Sequence, residues 1–316
     1  MQRGVFLFTL DTELAWGHYD IYDAGLFSTD GSRERRTVIR ILELLDEYDI
    51  TATWAIVGRL FCKDHLVCKD IMPLDLGGKY PQFEAMIASD HPLLYAPDLI
   101  ETLIVRGARH EIGFHGFTHR IFTEMAESEA RAEIEAWSLV AAPYGIQPKT
   151  VVFPRNRIKH LALFSRFGFL CFRGTEKYPG FVASPSVFGK GLRRYYRYTS
   201  LAATPEVYQP WKDTSGLYNL PASRSLFSID RTLEQILRGI NLRSVTTWAL
   251  VRGVKQAVRE KGIFHLYTHP YEFQSEEDFT KLRRVIQAVR IEMNRGSLVN
   301  YPCASLTRIL LKEGGV

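Results

Sequence analysis

The chain reads as an α/β domain in which parallel strands alternate with helices and close, or nearly close, into a barrel. Short apolar runs recur along the whole length, separated by stretches whose apolar residues fall at helical spacing. The first, second and fourth runs are apolar without interruption, as strands covered on both faces are. Carboxylates, imidazoles and a guanidinium follow directly on the ends of these runs, where a (β/α) barrel gathers its active site. An open, doubly wound sheet is the alternative that this pattern does not separate from a barrel.

Strands are expected over 4–10, 51–57, 110–114, 150–153, 168–172, 217–221 and 263–267. Between them, 37–48 places Ile39, Leu42 and Leu45 on one side of a helix. The segment 98–106 follows Pro97 and stops at Gly107, as a helix does. Residues 124–142 are rich in Ala and Glu, both good helix formers. A helix over 245–261 closes at Gly262, and 276–294 opens with acidic residues that suit a helix N-terminus. Two stretches break the repeat, 61–96 and 176–216. Both leave from strand C-terminal ends, so they read as insertions that wall a site on one domain spanning 1–316.

Hydrophobic content of 46% and charged content of 24% are globular values, and no apolar run is long enough to span a bilayer. With no secretory leader, a cytoplasmic location is expected, and with it reduced thiols at Cys62, Cys68, Cys171 and Cys303. The net charge of +5 gathers at Arg33–Arg36, Arg193–Arg197 and Lys281–Arg284. Such clusters are solvated helix faces or, more sharply, attract an anionic partner: a phosphate-linked sugar, or a membrane surface in peripheral association. Acidic residues interrupt most basic runs and no nucleic-acid module is recognisable, so nucleic acid is not an expected partner. Oligomeric state leaves no trace in the sequence.

The chemistry concentrates at four run ends. His115 and His119, four residues apart, can face one metal ion. Asp11 and Glu13 lie at i and i+2 on a strand end and point the same way, so one can ligate while the other accepts a proton. Arg155 and His269 complete the set, which points to a metal-dependent hydrolase.

Taken in order, these segments resemble the polysaccharide deacetylase family, also called carbohydrate esterase family four. TLDTE at 9–13 is similar to its first, acidic motif. HGFTH at 115–119 is similar to H-[ST]-x-x-H, with Gly116 at the hydroxyl position. TWAIVG at 53–58 resembles its second strand, VFPRN at 152–156 its third motif and LYTHP at 266–270 its last. The resemblance implies a distorted (β/α)7 barrel with insertions on the C-terminal face of the strands. It also implies a divalent metal, usually zinc, and removal of N- or O-linked acyl groups from sugars. Carried onto this sequence, Asp11 is the general base, His115 and His119 are metal ligands, and His269 is the general acid. Thr12 stands where most members have a ligating Asp, so Glu13 is the third ligand, as in members with D-x-[DE] spacing. Pro154 precedes Arg155, reversing the usual order, and Arg155 is expected to hold the base carboxylate. The Tyr whose backbone N–H helps to form the oxyanion hole is absent, with the Asn156 N–H in its place. His265, four residues before His269 on the same side of the strand, either faces the site too or, as such residues more often do, serves as a satisfied core histidine. Tyr19, Tyr22, Tyr80, Tyr95, Trp211 and Tyr218 lie in or near the loops, where sugar rings stack. The implied substrate is an acylated sugar, nucleotide- or lipid-linked, or an intermediate of cell-surface polysaccharide assembly. Two rivals stand beside it: an amidohydrolase of a small amide or imide, and a non-catalytic glycan-binding relative, which Thr12 and the altered third motif favour.

Overall fold

Strand β1 (Gly4–Thr12) is buried along all nine residues and organises the sheet around it. The computed structural model describes residues 1–176, 203–227 and 242–313. The strands that follow are β2 (Thr53–Ile56), β3 (Glu111–Phe114), β4 (Thr150–Val151), β5 (Cys171–Phe172), β6 (Trp211–Lys212), β7 (Tyr218–Asn219), β8 (Arg224–Ser225), β9 (Ile263–Thr268) and β10 (Leu298–Asn300). Their order in the sheet is β6-β7-β5-β4-β3-β2-β1-β9-β8, parallel throughout except for the β6–β7 hairpin. One edge of β1 is shared: β10 pairs with Gly4–Phe6 and β2 with Thr9–Thr12.

The sheet curls into a seven-membered ring. Between β7 and β8, the Leu220 N–H donates to Phe172 O and the Ala222 N–H to Gly174 O, both from the β5 side. The Ser223 N–H then donates to His265 O of β9 at 2.8 Å, so this one segment bridges the two flanks. The expected α/β barrel is therefore observed, and the open sheet is not.

Helices α1 (Ser32–Glu47), α2 (His65–Ile71), α3 (Pro81–Ala88), α4 (Pro97–Arg106), α5 (Glu127–Ala141), α6 (Leu161–Arg166), α7 (Leu242–Glu260), α8 (Glu276–Asn294) and α9 (Cys303–Glu313) cover the outside. Strand alternation sorts the core into two. Phe6, Phe8 and Leu10 face the helices in the large outer cluster. Val5 and Leu7 meet Cys171, Leu220 and Ile263 in a small cluster inside the ring. The same parity sends Thr9 and Asp11 inward above that floor, and on β9 it sends His265 and then His269 inward above Ile263. Strand periodicity thus builds a plug at one end of the ring and a polar site at the other.

Several expectations change. The 61–96 insertion carries α2 and α3 rather than irregular chain, and β10 adds a strand that the apolar pattern does not announce. Cys62 and Cys68 are joined in a disulfide, with Cα atoms 5.8 Å apart, and are not free thiols. The turn Gly58–Phe61 leads Cys62 back toward the middle of α2, where Cys68 lies. Cys171 and Cys303 are buried and free. Two of the basic clusters are engaged in ion pairs: Arg33 with Glu34, Arg35 with Asp98 and Arg283 with Glu47. The Arg193–Arg197 cluster and most of the 176–216 insertion lie outside the described residues. No described helix is long and apolar enough to cross a membrane.

Candidate metal centre

Glu13 follows β1 directly and projects into a buried group with His115 and His119, which follow β3. The Glu13 Oε2 atom is 3.0 Å from His115 Nε2 and 2.8 Å from His119 Nε2. One ligand atom from each of the three residues lies within 4.8 Å of the others. The His115 Nδ1–H donates to Val152 O at 2.8 Å, which fixes the tautomer and leaves Nε2 with its lone pair turned to the group. The His119 Nε2 is buried and makes no hydrogen bond despite its closeness to Glu13. Two imidazoles and one carboxylate, buried together with an orphaned nitrogen among them, offer a donor set of the kind that holds a divalent metal ion. The residues fit a divalent cation.

The turn after β1 is shaped for this carboxylate. A Cβ at Gly17 would stand 1.9 Å from Glu13 Oε1, so a larger residue there would displace this carboxylate from the two histidines.

Asp11, two residues earlier on the same face, is held by Arg173. The guanidinium meets both carboxylate oxygens, Nη1 to Oδ1 at 2.6 Å and Nη2 to Oδ2 at 2.7 Å, with both side chains buried. Arg173 also donates to Thr9 Oγ1 at 2.9 Å and to Asn156 Oδ1 at 3.0 Å. Burial by itself would push the Asp11 carboxyl up, but Arg173, with His115 and His269, more than offsets it and holds it below the usual value. The Thr9 hydroxyl lies 3.3 Å from His265 Nε2, whose Nδ1–H donates to Leu220 O at 3.0 Å. Burial and the nearby Arg173 push His265 down to about 3, so it stays neutral and serves as the floor beneath the site. The expected core role for His265 matches this environment.

His269 closes the far side. Its Nε2 is 3.6 Å from Asp11 Oδ2 and 3.9 Å from Glu13 Oε1. Its Nδ1 donates to Glu272 Oε2 at 3.2 Å, and its backbone N–H donates to the same oxygen at 2.8 Å. Burial pulls the imidazole down, yet Glu272, Glu13 and Asp11 outweigh it and push His269 up to about 10, so it carries a proton at neutral pH. Tyr271 lies tilted beside it, ring centroids 5.1 Å apart, and meets His18 at 4.8 Å and Phe27 at 5.6 Å. From the 61–96 insertion, Tyr80 packs on Tyr19, and Phe83 packs on Tyr19 and Tyr22, in the loop after β1. That insertion therefore lies against the end of the barrel that bears Glu13.

Two expectations about the third motif do not hold. Arg155 does not reach Asp11: its guanidinium pairs with Asp20, with Nη1 2.9 Å from Oδ2, and donates to Gly17 O at 3.2 Å. The reason is backbone geometry. Arg155 and Asn156 adopt left-handed conformations at φ +53 and +54, which turn the arginine out to the rim. The Asn156 N–H donates to Phe153 O at 2.8 Å and is not free to face an oxyanion, while its side chain serves Arg173. Arg173 and Glu272 are the residues that sequence reading did not single out. Both carry a signal: Arg173 is the first residue after an apolar run, and Glu272 stands three residues after His269.

Residues 22–164 match the polysaccharide deacetylase family, a span that takes in His115, His119 and Arg155. No curated protein matches the sequence. In fold the chain is similar to a candidate polysaccharide deacetylase from Mycobacterium smegmatis, with a TM-score of 0.65 at 15% identity over 99% of this chain and 92% of that one. It is also similar to the Puue allantoinase, with a TM-score of 0.58 at 14% identity over 96% and 89% of the two chains. A third likeness is to a candidate polysaccharide deacetylase from Pseudomonas aeruginosa PAO1, with a TM-score of 0.56 at 14% identity over the same shares. At these identities the likeness to solved structures is one of fold, and it is the fold of a distorted (β/α) barrel.

Proposed function

We propose, from the match of residues 22–164 to the polysaccharide deacetylase family, that this chain is a metal-dependent hydrolase removing an acyl group from a sugar. The observation that carries the reading is the buried Glu13–His115–His119 group beside an Arg173-held Asp11 and a charged His269. Glu13, His115 and His119 would hold the cation, which supplies polarisation of the acyl carbonyl and acidifies an attacking water when bound. Asp11, kept ionised by Arg173, takes the proton of that water. His269, oriented through Nδ1 by Glu272, presents Nε2 toward the same space and gives its proton to the departing nitrogen or oxygen of the sugar. Arg155 and Asp20, on the rim beside Tyr19, contribute to substrate binding and not to the base. The aromatic side chains of the β1 loop and the 61–96 insertion form the wall against which the sugar rests. A sugar linked to a nucleotide or lipid phosphate, in cell-surface glycan assembly, is the substrate class favoured by the net charge of +5.

The test is acetate release from N-acetylated sugars, free and nucleotide- or lipid-linked, with and without a chelator. The expected result is release that the chelator abolishes and added divalent metal restores. Folded, metal-replete protein that releases nothing from any acylated sugar contradicts the proposal. Hydrolysis of a small cyclic amide or imide alone would move the chain to the amidohydrolase reading.

A further inference from the structure

The loop between the two histidines ends in a conformation that His119 does not favour. Gly116 and His119 both lie in the left-handed region, at φ +77 and +61. For a non-glycine residue such as His119 this costs on the order of 1 kcal/mol and persists only when the surroundings dictate it. What dictates it is Glu133, in the middle of α5 and fully buried. Its Oε2 accepts the backbone N–H of Phe117 at 2.6 Å and that of Thr118 at 2.9 Å, and its Oε1 accepts the Thr118 hydroxyl. A Cβ at position 116 would stand 3.5 Å from the same Oε2. Among the described residues Glu133 forms no ion pair. A carboxylate sunk in a helix face without a cation is costly unless hydrogen bonds satisfy it. Here all three come from the two residues that separate Gly116 from His119.

We infer that Glu133 is the positioning residue of the metal centre: it pins the 116–118 loop so that His115 and His119 converge on Glu13. The inference rests on the proposed ligand set. The restraint comes from the neighbouring helix and not from the loop itself.

The experiment uses the full chain, stripped of metal and titrated with cobalt(II), whose visible spectrum reports coordination. Glu133→Leu keeps the volume and removes every acceptor. Glu133→Gln keeps an oxygen for the two N–H groups and offers an amide donor to a Thr118 hydroxyl that can turn and accept. The expected result is a Kd weakened roughly 10- to 100-fold in Glu133→Leu, the usual loss when support behind a ligand is removed, with Glu133→Gln close to the native chain. Amide exchange at Phe117 and Thr118 in the metal-free protein should accelerate in Leu and stay slow in Gln. Native affinity and native exchange in a folded Glu133→Leu overturn the proposal. Should Leu fail to fold, Glu133→Asp, too short to reach all three donors, decides by the same two readouts. A native chain that takes up no cobalt overturns the ligand set and this proposal with it. Tight binding by both the native chain and Leu overturns this proposal alone.

Discussion

Arg173 meets both oxygens of Asp11, at 2.6 and 2.7 Å, inside the barrel and away from solvent. The fork fixes the plane of the carboxylate and keeps it ionised, leaving Oδ2 also 3.6 Å from His269 Nε2. Removing the cation strands a buried charge. Arg173→Met should therefore destabilise the fold by about 3–5 kcal/mol, measured by urea unfolding. Arg173→Lys, which keeps the charge and loses the two-point grip, should retain more stability but little turnover. A loss below about 1 kcal/mol in Arg173→Met, the scale of an exposed pair, would contradict the buried-pair account.

Arg155 offers the contrast. Its pair with Asp20 is partly exposed, with side chains 31% and 23% accessible, so it is screened by solvent. Arg155→Ala should cost about 1 kcal/mol or less in stability and weaken substrate binding more than it slows the chemical step. Kinetics on both variants separate the two arginines. If Arg155→Ala abolishes turnover while Arg173→Lys leaves it intact, the roles are reversed.

In the proposed reaction Asp11 takes a proton from water and His269, whose Nε2 is 3.6 Å from Asp11 Oδ2, gives one to the leaving group. Asp11→Asn should abolish acetate release and leave metal content unchanged, because Arg173 and not the cation holds that carboxylate. His269→Ala should slow poor leaving groups most, since these most need the proton it delivers. Glu272→Gln, which loosens His269 without touching the acyl group, should reproduce that leaving-group dependence in milder form. Metal loss in Asp11→Asn would make Asp11 a ligand.

His110 should contribute a loss of stability on mild acidification, against the opposite contribution of His269, which is complete below about pH 6.5. Burial pushes His110, whose Nδ1 accepts the Ala52 N–H at 3.0 Å, down to about 4. The folded chain keeps this imidazole neutral, while the unfolded chain protonates it near the ordinary value of about 6.5. Its stabilising contribution is thus full above pH 6.5 and is lost progressively as the pH falls toward 4. His265 adds a contribution of the same sign, extending to about pH 3. Urea midpoints at pH 7.5 and 5.0 measure the slope, and His110→Asn, which keeps an acceptor and does not titrate, should flatten it. An unchanged slope in that variant refutes the assignment.

How far the site could be read from the sequence follows from strand periodicity. Parity along β1 turns Asp11 to the same side as Val5 and Leu7, and parity along β9 turns His269 to the side of His265, so these residues stand out at run ends. Arg173 does not, because β5 is only two residues long and no alternation precedes it. The rule that finds Asp11, a charged residue just past an apolar run, applies equally to 168–172 and leads to Arg173. Glu133 is hidden for a different reason. Its helix is rich in Glu, and only its placement three residues after Ala130 and four before Trp137, both buried, marks it as inward. Arg155 misleads because its outward turn depends on two left-handed residues in succession, which the VFPRN pattern does not reveal. The Cys62–Cys68 disulfide likewise depends on a turn that spacing alone does not specify.

The central claim is that one divalent ion sits on Glu13, His115 and His119, with Asp11 free to act as base. Anomalous diffraction at the zinc edge, from crystals of the native chain soaked in zinc, tests this most directly. The account predicts a single strong peak between the Nε2 atoms of His115 and His119 and the Glu13 carboxylate, at about 2.0–2.1 Å from each nitrogen, with Asp11 still forked to Arg173. A peak bound by Asp11 in place of Glu13, or no peak in this group, would contradict it.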